Sequence, residues 1–239
     1  MPYLCVIPAR GGSKRIPRKN NRQFCGKPMI AYSISAAIDS GLFDTVMVST
    51  DDEEIADTAI QFGAKVPFLR SLDNSEDYSG TGDVMCEVIS EYERCGFFFN
   101  IACCIYATAP LITARRLQEA FDLFTNGSYD VVFPVGRYAS PILRSYKVDE
   151  RYTAVMNFPE FEAKRSQDLL DSYFDAGQFY WFYPNKLKKL KNKNSFGENK
   201  GAVILEEYEV QDIDQPSDWE MAEFKYLYIQ SNYSSKAKL

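Results

Sequence analysis

The chain predicts an α/β fold, three layers deep, with a mostly parallel sheet covered by helices on both faces. Three observations carry that expectation. Short apolar runs recur at Tyr3–Ile7, Thr45–Ser49, Val66–Leu69, Asn100–Tyr106 and Asp130–Val135, and strands that read as continuous apolar runs are those buried on both faces. Between them lie segments of helical period, at Pro28–Ser40, Ile55–Phe62, Asp83–Arg94 and Thr113–Phe124, and this alternation is the signature of βαβ units. Finally, 239 residues with 46% hydrophobic and 25% charged side chains suit one sizeable globular domain, residues 1–239, and not a disordered chain.

Each element has a local reason. Pro8 closes the first apolar run. Pro28 suits a first helical turn and Gly41 a stop, with Ile30, Ile34, Ala37 and Ile38 on one face. Thr50 and Asp51 lead into an acidic helix start, and Gly63 ends that helix. After Gly136 the rhythm breaks: residues 137–180 are rich in Tyr, Arg, Phe and Pro and read either as an inserted lobe or as a set of long surface connections. Gln178–Phe182, Val203–Leu205 and Glu209–Ile213 are expected as late strands, Pro216–Ile229 as a closing helix, and Ser231–Leu239 as a frayed end.

Composition excludes several kinds of chemistry. With 27 Lys plus Arg against 33 Asp plus Glu the net charge is -6, which argues against wholesale nucleic-acid or anionic-membrane binding. Histidine is absent, so Ser-His-Asp and Cys-His catalysis and histidine metal sites are all excluded. The six cysteines form no CxxC pair, and Cys5, Cys103 and Cys104 lie in apolar runs where thiols act as small hydrophobes. Without a basic leader, a signal-type apolar segment or a run of about 20 apolar residues, the chain is expected to be cytoplasmic.

In open α/β sheets ligands gather outside the carboxyl ends of the strands, so the loops from Pro8, Ser49, Tyr106 and Val135 are where function is sought. The first reads Pro8-Ala9-Arg10-Gly11-Gly12-Ser13-Lys14-Arg15-Ile16-Pro17-Arg18-Lys19-Asn20. Its glycines let the backbone turn and present N–H groups, and Arg10, Lys14 and Lys19 can neutralise a polyphosphate. The Walker A spacing is missing. Late in the chain stands Asp212-Ile213-Asp214. On a strand, residues two apart share a face, so the carboxylates can converge on a magnesium ion; equally, one of them can cap the last helix. Ser79-Gly80-Thr81-Gly82-Asp83 fails as a dinucleotide fingerprint, leaving Thr81 to meet a nucleoside or merely to form a turn. Arg165, Tyr173, Asp175, Gln178, Phe179 and Tyr180 can grip a sugar acid, the guanidinium forking its carboxylate, or can pack an interface. An NAD(P)-dependent oxidoreductase fits the alternation but not the glycines, and a non-catalytic nucleotide-binding protein has no need of the late aspartates.

The string IPARGGSKRIPRKN, the VSTDD after the second strand, Thr108-Ala109-Pro110 and the late DID together resemble the acylneuraminate cytidylyltransferase family along nearly the whole chain. The resemblance implies a Rossmann-like nucleotidyltransferase fold with a dimerisation lobe, and coupling of CTP to a nine-carbon nonulosonic acid with release of pyrophosphate. Asp175-Ala176-Gly177-Gln178-Phe179-Tyr180-Trp181 is similar to the pseudaminic acid branch. Tyr106 stands where the sialic acid branch commonly has glutamine, leaving legionaminic and N-acetylneuraminic acids as alternatives. Carried over by position, the resemblance implies that Arg10, Gly12, Ser13, Lys14 and Lys19 bind triphosphate and Asn20, Arg70 and Thr81 meet cytidine. It further implies that Tyr106, Arg165 and Gln178 meet substrate, and that Asp212 and Asp214 hold Mg2+. It also implies a cytoplasmic homodimer without nucleic-acid or membrane partners.

Overall fold

The computed structural model of the chain describes residues 2–71, 74 and 80–236, the last four by backbone alone. β1 (Tyr3–Pro8) runs into the glycine-rich loop and a small hairpin of β2 (Gln23–Phe24) and β3 (Lys27–Pro28). α1 (Met29–Asp39), β4 (Thr45–Ser49) and α2 (Glu53–Gln61) follow, then α3 (Thr81–Arg94), β5 (Ile101–Ile105), α4 (Ala114–Asn126) and β6 (Val131–Arg137). An excursion holding the hairpin β7 (Tyr146–Val148) and β8 (Ala154–Met156) returns through β9 (Tyr173–Asp175) and β10 (Phe179–Phe182). α5 (Pro184–Leu187), β11 (Lys200–Leu205) and α6 (Pro216–Lys236) complete the chain.

The main sheet has the order β11-β6-β10-β5-β1-β4, with β9 added along β6. β4, β1 and β5 are parallel, as are β6 and β11, while β10 lies antiparallel between β5 and β6. Alternation along β1 sends Cys5 and Ile7 to one face and Leu4 and Val6 to the other, all fully buried. On the first face they meet Ile34, Ala59, Leu117 and Phe124 from α1, α2 and α4; on the second, Val84, Val88 and Ile89 of α3 and Leu187 of α5. Each such aliphatic or aromatic side chain contributes roughly 1.5–3 kcal/mol on burial. A third cluster joins Ile16 of the glycine-rich loop to Phe24, Met29, Ile213 and Trp219. Local chemistry starts the helices: Asp52 accepts from Ile55 N at 3.0 Å at the head of α2, and Thr113 caps α4.

Several expected boundaries shift. Val66–Leu69 is no strand: its residues alternate between half-buried and exposed, Pro67 has no N–H to lend, and the only pairing is a bridge between Lys65 and Met47. Glu209–Ile213 is no strand either. A 3-10 turn at Glu207–Glu209, closed by the Glu206–Glu209 capping box, turns the chain away after β11. Pro28 precedes α1 as its N-cap, β9 and β10 rejoin the main sheet from Tyr173, so the excursion is shorter than 137–180, and α6 runs on past Ser231 to Lys236.

The start of α3 is packed against the turn Lys193–Ser195. Asn194 Oδ1 accepts from Gly82 N at 3.0 Å, and a Cβ on Gly82 would lie 2.4 Å from the Lys193 backbone. Gly82→Ala is therefore expected to lower stability by about 1–3 kcal/mol through overpacking, read as a reduced denaturant midpoint; an unchanged midpoint would show that this seat is not tight.

Candidate active site

The glycine-rich loop leaves β1 at the carboxyl end of the sheet and folds back under α2. Gly11 N donates to Asp51 Oδ1 at 2.9 Å, and a Cβ on Gly11 would stand 2.6 Å from Asp52 Oδ2, so only glycine brings the backbone this close to the carboxylates after β4. Ser13 N closes a turn on Gly11 O at 2.9 Å. Asn20, buried, ties the far end of the loop to its beginning by donating Nδ2 to Arg10 O at 2.9 Å. Arg10, Ser13, Lys14, Arg15, Lys19 and Asn20 thereby face one cleft of about 440 Å3.

Across the cleft stands Arg70. Its Nε donates to Ser49 Oγ at 3.1 Å and its Nη2 to Ser49 O, while its own N–H is held by Thr50 O. Burial draws its pKa below the ordinary arginine value, with Asp51 and Glu87 acting the other way. Thr81, at the first turn of α3, and Tyr106, just past β5, complete the wall. Among the described residues lining this cleft there are cations and neutral groups and no carboxylate.

The late aspartates stand behind the cationic wall. Ile213, fully buried, is driven into the third cluster beside Ile16, which turns the aspartates on either side of it outward. Arg15 Nη1 pairs with Asp214 Oδ2 at 2.8 Å, and Lys19 Nζ lies 3.8 Å from Asp214 Oδ1 while donating to Ile213 O at 2.5 Å. Burial lowers the Lys19 pKa, with Asp214 and Asp212 opposing. Asp212 shifts the other way: burial first, then the like charge of Asp214, raises its carboxyl above the usual range, with Lys19 only partly offsetting them. Ahead of the last helix, the N–H groups of Asp214 and Gln215 are received by Asp218 Oδ2.

A second cavity of about 410 Å3 adjoins the first and shares Thr81 and Tyr106 with it. The Thr81 Oγ1 and Tyr106 hydroxyl are 3.3 Å apart. Tyr180, Phe133 and Phe196 supply aromatic walls; the Tyr180 and Phe196 rings stack at 4.8 Å. Asp175 is held in place by Gly177 N on Oδ1 at 2.9 Å and by the Tyr180 hydroxyl on Oδ2 at 2.8 Å. Lys200 also lines this cavity.

Three expected substrate contacts, Gln178, Arg165 and Gly12, are not brought to either cavity. Gln178 is buried, donating Nε2 to Glu209 O at 2.6 Å, because the first residues toward β10 point into the core. Arg165 is exposed in the excursion and is forked by Asp168 at 2.8 and 2.9 Å. Gly12 sits in the loop without facing the cleft, and Ser79 lies outside the described residues. Conversely, Asn194, Phe196 and Lys200 reach the site without a sequence signal, Phe196 through a left-handed backbone at φ 56°.

Fold and cleft define an α/β protein that presents a cationic, polyanion-sized cleft beside an aromatic pocket. The cytidylyltransferase family model matches residues 4–233, and the chain belongs to that family. It is 38% identical to the pseudaminic acid cytidylyltransferase of Campylobacter jejuni over 95% of this chain and 97% of that protein. It is 32% identical to the CMP-N,N'-diacetyllegionaminic acid synthase of Legionella pneumophila, over 93% and 95% of the two chains. Among solved structures, CMP:2-keto-3-deoxy-manno-octonic acid synthetase complexed with CTP shares the fold at a TM-score of 0.67 and 19% identity, covering 97% of this chain and all of that one.

Because the folded Asp212 binds its proton more tightly than an unfolded aspartate, the stability linked to this group is present at acid pH and lost as pH rises through the raised pKa. Asp212→Asn is thus expected to melt higher than the parent at pH 7 without divalent cation. The gap should narrow as pH falls through the raised pKa of the parent carboxyl and close below the ordinary aspartate range; thermal melts at successively lower pH check it.

Proposed function

We propose that this chain activates a nonulosonic acid, pseudaminic acid, with CTP, giving the CMP-sugar and pyrophosphate. The observation that carries the reading is the junction of the two cavities: a cationic cleft, with no carboxylate among the described residues lining it, sharing Thr81 and Tyr106 with an aromatic pocket, in a chain of this family. A triphosphate suits the first and a sugar body the second. The anomeric hydroxyl of the sugar attacks the α-phosphorus of CTP in line, its proton passing to a carboxylate or solvent base, as the bond to the leaving pyrophosphate breaks. Little covalent chemistry is asked of the protein, since positioning and charge neutralisation dominate phosphoryl-type transfer.

Arg10, Lys14 and Lys19, with Ser13, take the triphosphate and stabilise the charge that builds on pyrophosphate. Asn20, Arg70 and Thr81 hold the cytidine. Tyr106 and Tyr180 bound the sugar, and Asp175 accepts one of its donors. The pair Asp212–Asp214 would hold a divalent cation. These two oxygen donors of like charge would hold Mg2+, an ion ordinarily bound through one or two carboxylates together with substrate phosphates. That ion, when bound, supplies Lewis-acid neutralisation at the phosphate oxygens. The exposed apolar side chains of the excursion, among them Tyr152, Val155 and Leu170, support its use as the contact of a homodimer, and the chain is read as cytoplasmic. Among the described residues no helix is long and apolar enough to cross a membrane.

Pyrophosphate release is to be measured with CTP and Mg2+ and, separately, pseudaminic, legionaminic and N-acetylneuraminic acids. The first is expected to turn over with the highest kcat/KM; a preference for either of the others would move the substrate, and no release with any would leave a nucleotide-binding protein only. In the active case Lys19→Ala and Asp214→Ala are each expected to lower kcat/KM about 10²-fold or more, some 3 kcal/mol of transition-state stabilisation.

A further inference from the structure

The segment between β11 and α6, residues 206–215, carries both late aspartates, yet it joins no strand ladder. Backbone carbonyls in buried chain require donors, and here side chains from separate elements supply them. Gln178, just before β10, donates to Glu209 O at 2.6 Å, Lys225 of α6 donates Nζ to Val210 O at 2.7 Å, and Lys19 reaches Ile213 O. Arg116 of α4 grips the Glu209 carboxylate by two bonds, Nε to Oε1 at 3.0 Å and Nη2 to Oε2 at 2.5 Å, with both side chains almost out of solvent at 11% and 8% exposure. Glu209 Oε2 also accepts from Glu206 N at 3.0 Å.

These ties have no evident duty toward a substrate. Lys225, Arg116 and Glu209 line neither the cationic cleft nor the aromatic pocket. Lys225 instead shares with Asp212 a separate cavity of about 300 Å3 behind the loop. A lysine serving only solubility leaves its ammonium in water; this one spends it on a loop carbonyl two residues before Asp212. Adjacent carboxylates of like charge push apart, and a segment without a ladder would give way to that push. We propose that Lys225 and the Arg116–Glu209 pair are positioning residues, which fix the Val210–Asp214 backbone so that Asp212 and Asp214 keep one orientation toward a divalent cation. The inference rests on the reading of those two aspartates as cation ligands.

The test compares the parent with Lys225→Met, which keeps the apolar stem, Lys225→Arg, which restores a donor, and Glu209→Gln. Mn2+ alone is titrated into each protein and followed by electron paramagnetic resonance; turnover then gives the half-saturating Mg2+ concentration and the KM for CTP. Lys225→Met and Glu209→Gln are expected to weaken Mn2+ binding about 10-fold, the usual size of a lost outer-shell contact. Lys225→Arg should stay near the parent, and the KM for CTP at saturating metal should stay unchanged. Parent-like Mn2+ binding in Lys225→Met overturns the proposal, as does a common fall of metal affinity, CTP affinity and melting temperature in both Lys225 variants, which marks a merely structural contact. A parent that binds Mn2+ but releases no pyrophosphate overturns the proposed function alone, and the variant titrations still decide positioning. A parent that binds no Mn2+ overturns the reading of the two aspartates as cation ligands and the positioning proposal with it, while pyrophosphate release alone decides the proposed function.

Discussion

Ile16 and Ile213 share a buried cluster with Phe24 and Trp219, and through it the two ends of the chain are held at the mouth of the cleft. The glycine-rich loop begins at residue 9 and the acidic loop ends near residue 215, so their meeting is closed over almost the whole length of the protein. Apolar packing provides the adhesion, since charge alone would not: Arg15, Lys19, Asp212 and Asp214 are partly solvated, and ion pairs of that kind contribute little net stability. With Ile213 seated, the salt bridge from Arg15 to Asp214 and the bond from Lys19 to Ile213 O follow at 2.8 and 2.5 Å. Loss of that seat would remove the cationic wall and the acidic pair from each other even if every charge were kept.

The second constraint is the joint wall of the cavities. Thr81 belongs to the first turn of α3 and Tyr106 to the end of β5, and the turn Lys193–Ser195 is pressed onto that same helix start. A group in the cationic cleft and a group in the aromatic pocket are therefore separated by one hydroxyl pair, on elements whose positions are fixed by the sheet and by a glycine that admits no Cβ. Reactions between two bound molecules gain most when such a wall is rigid, because orientation is then settled on binding.

How much of this was legible in the sequence depended on whether the signal was local. The buried strands of the sheet announced themselves as apolar runs, and the glycine-rich loop could be assigned to an anion because tight turning and clustered cations are written in adjacent residues. The acidic pair was visible too, although the strand expected to carry it was not there: Val210 and Ile213 bury like strand residues, but a turn stabilised by the Glu206–Glu209 box intervenes. Gln178 looked like a substrate contact because it sits among aromatic residues, yet its amide satisfies a carbonyl 31 positions away, a partnership that no spacing encodes. Phe196 was missed for a related reason, since its place in the pocket depends on a left-handed backbone unusual for so bulky a residue.

The cleft itself stores the reason for its use. Arg10, Lys14, Arg15, Lys19 and Arg70 crowd one hollow of a chain whose net charge is -6, and burial already draws the pKa values of Lys19 and Arg70 downward. Of the nearby described acids, Asp51 is turned to Gly11 N, and Asp214 serves Arg15 and Lys19 at once. A folded protein accepts such local conflict where a ligand removes it. A bound triphosphate does so by bringing negative charge into the cleft, and as it binds the folded state alone it adds stability by mass action, about 2.7 kcal/mol at a hundred times its Kd. The same conflict explains the heavy anchoring of the loop that bears Asp212 and Asp214. Asp214 already meets Arg15 and Lys19, and the polar ties from Arg116, Gln178 and Lys225 hold the backbone on which that meeting depends.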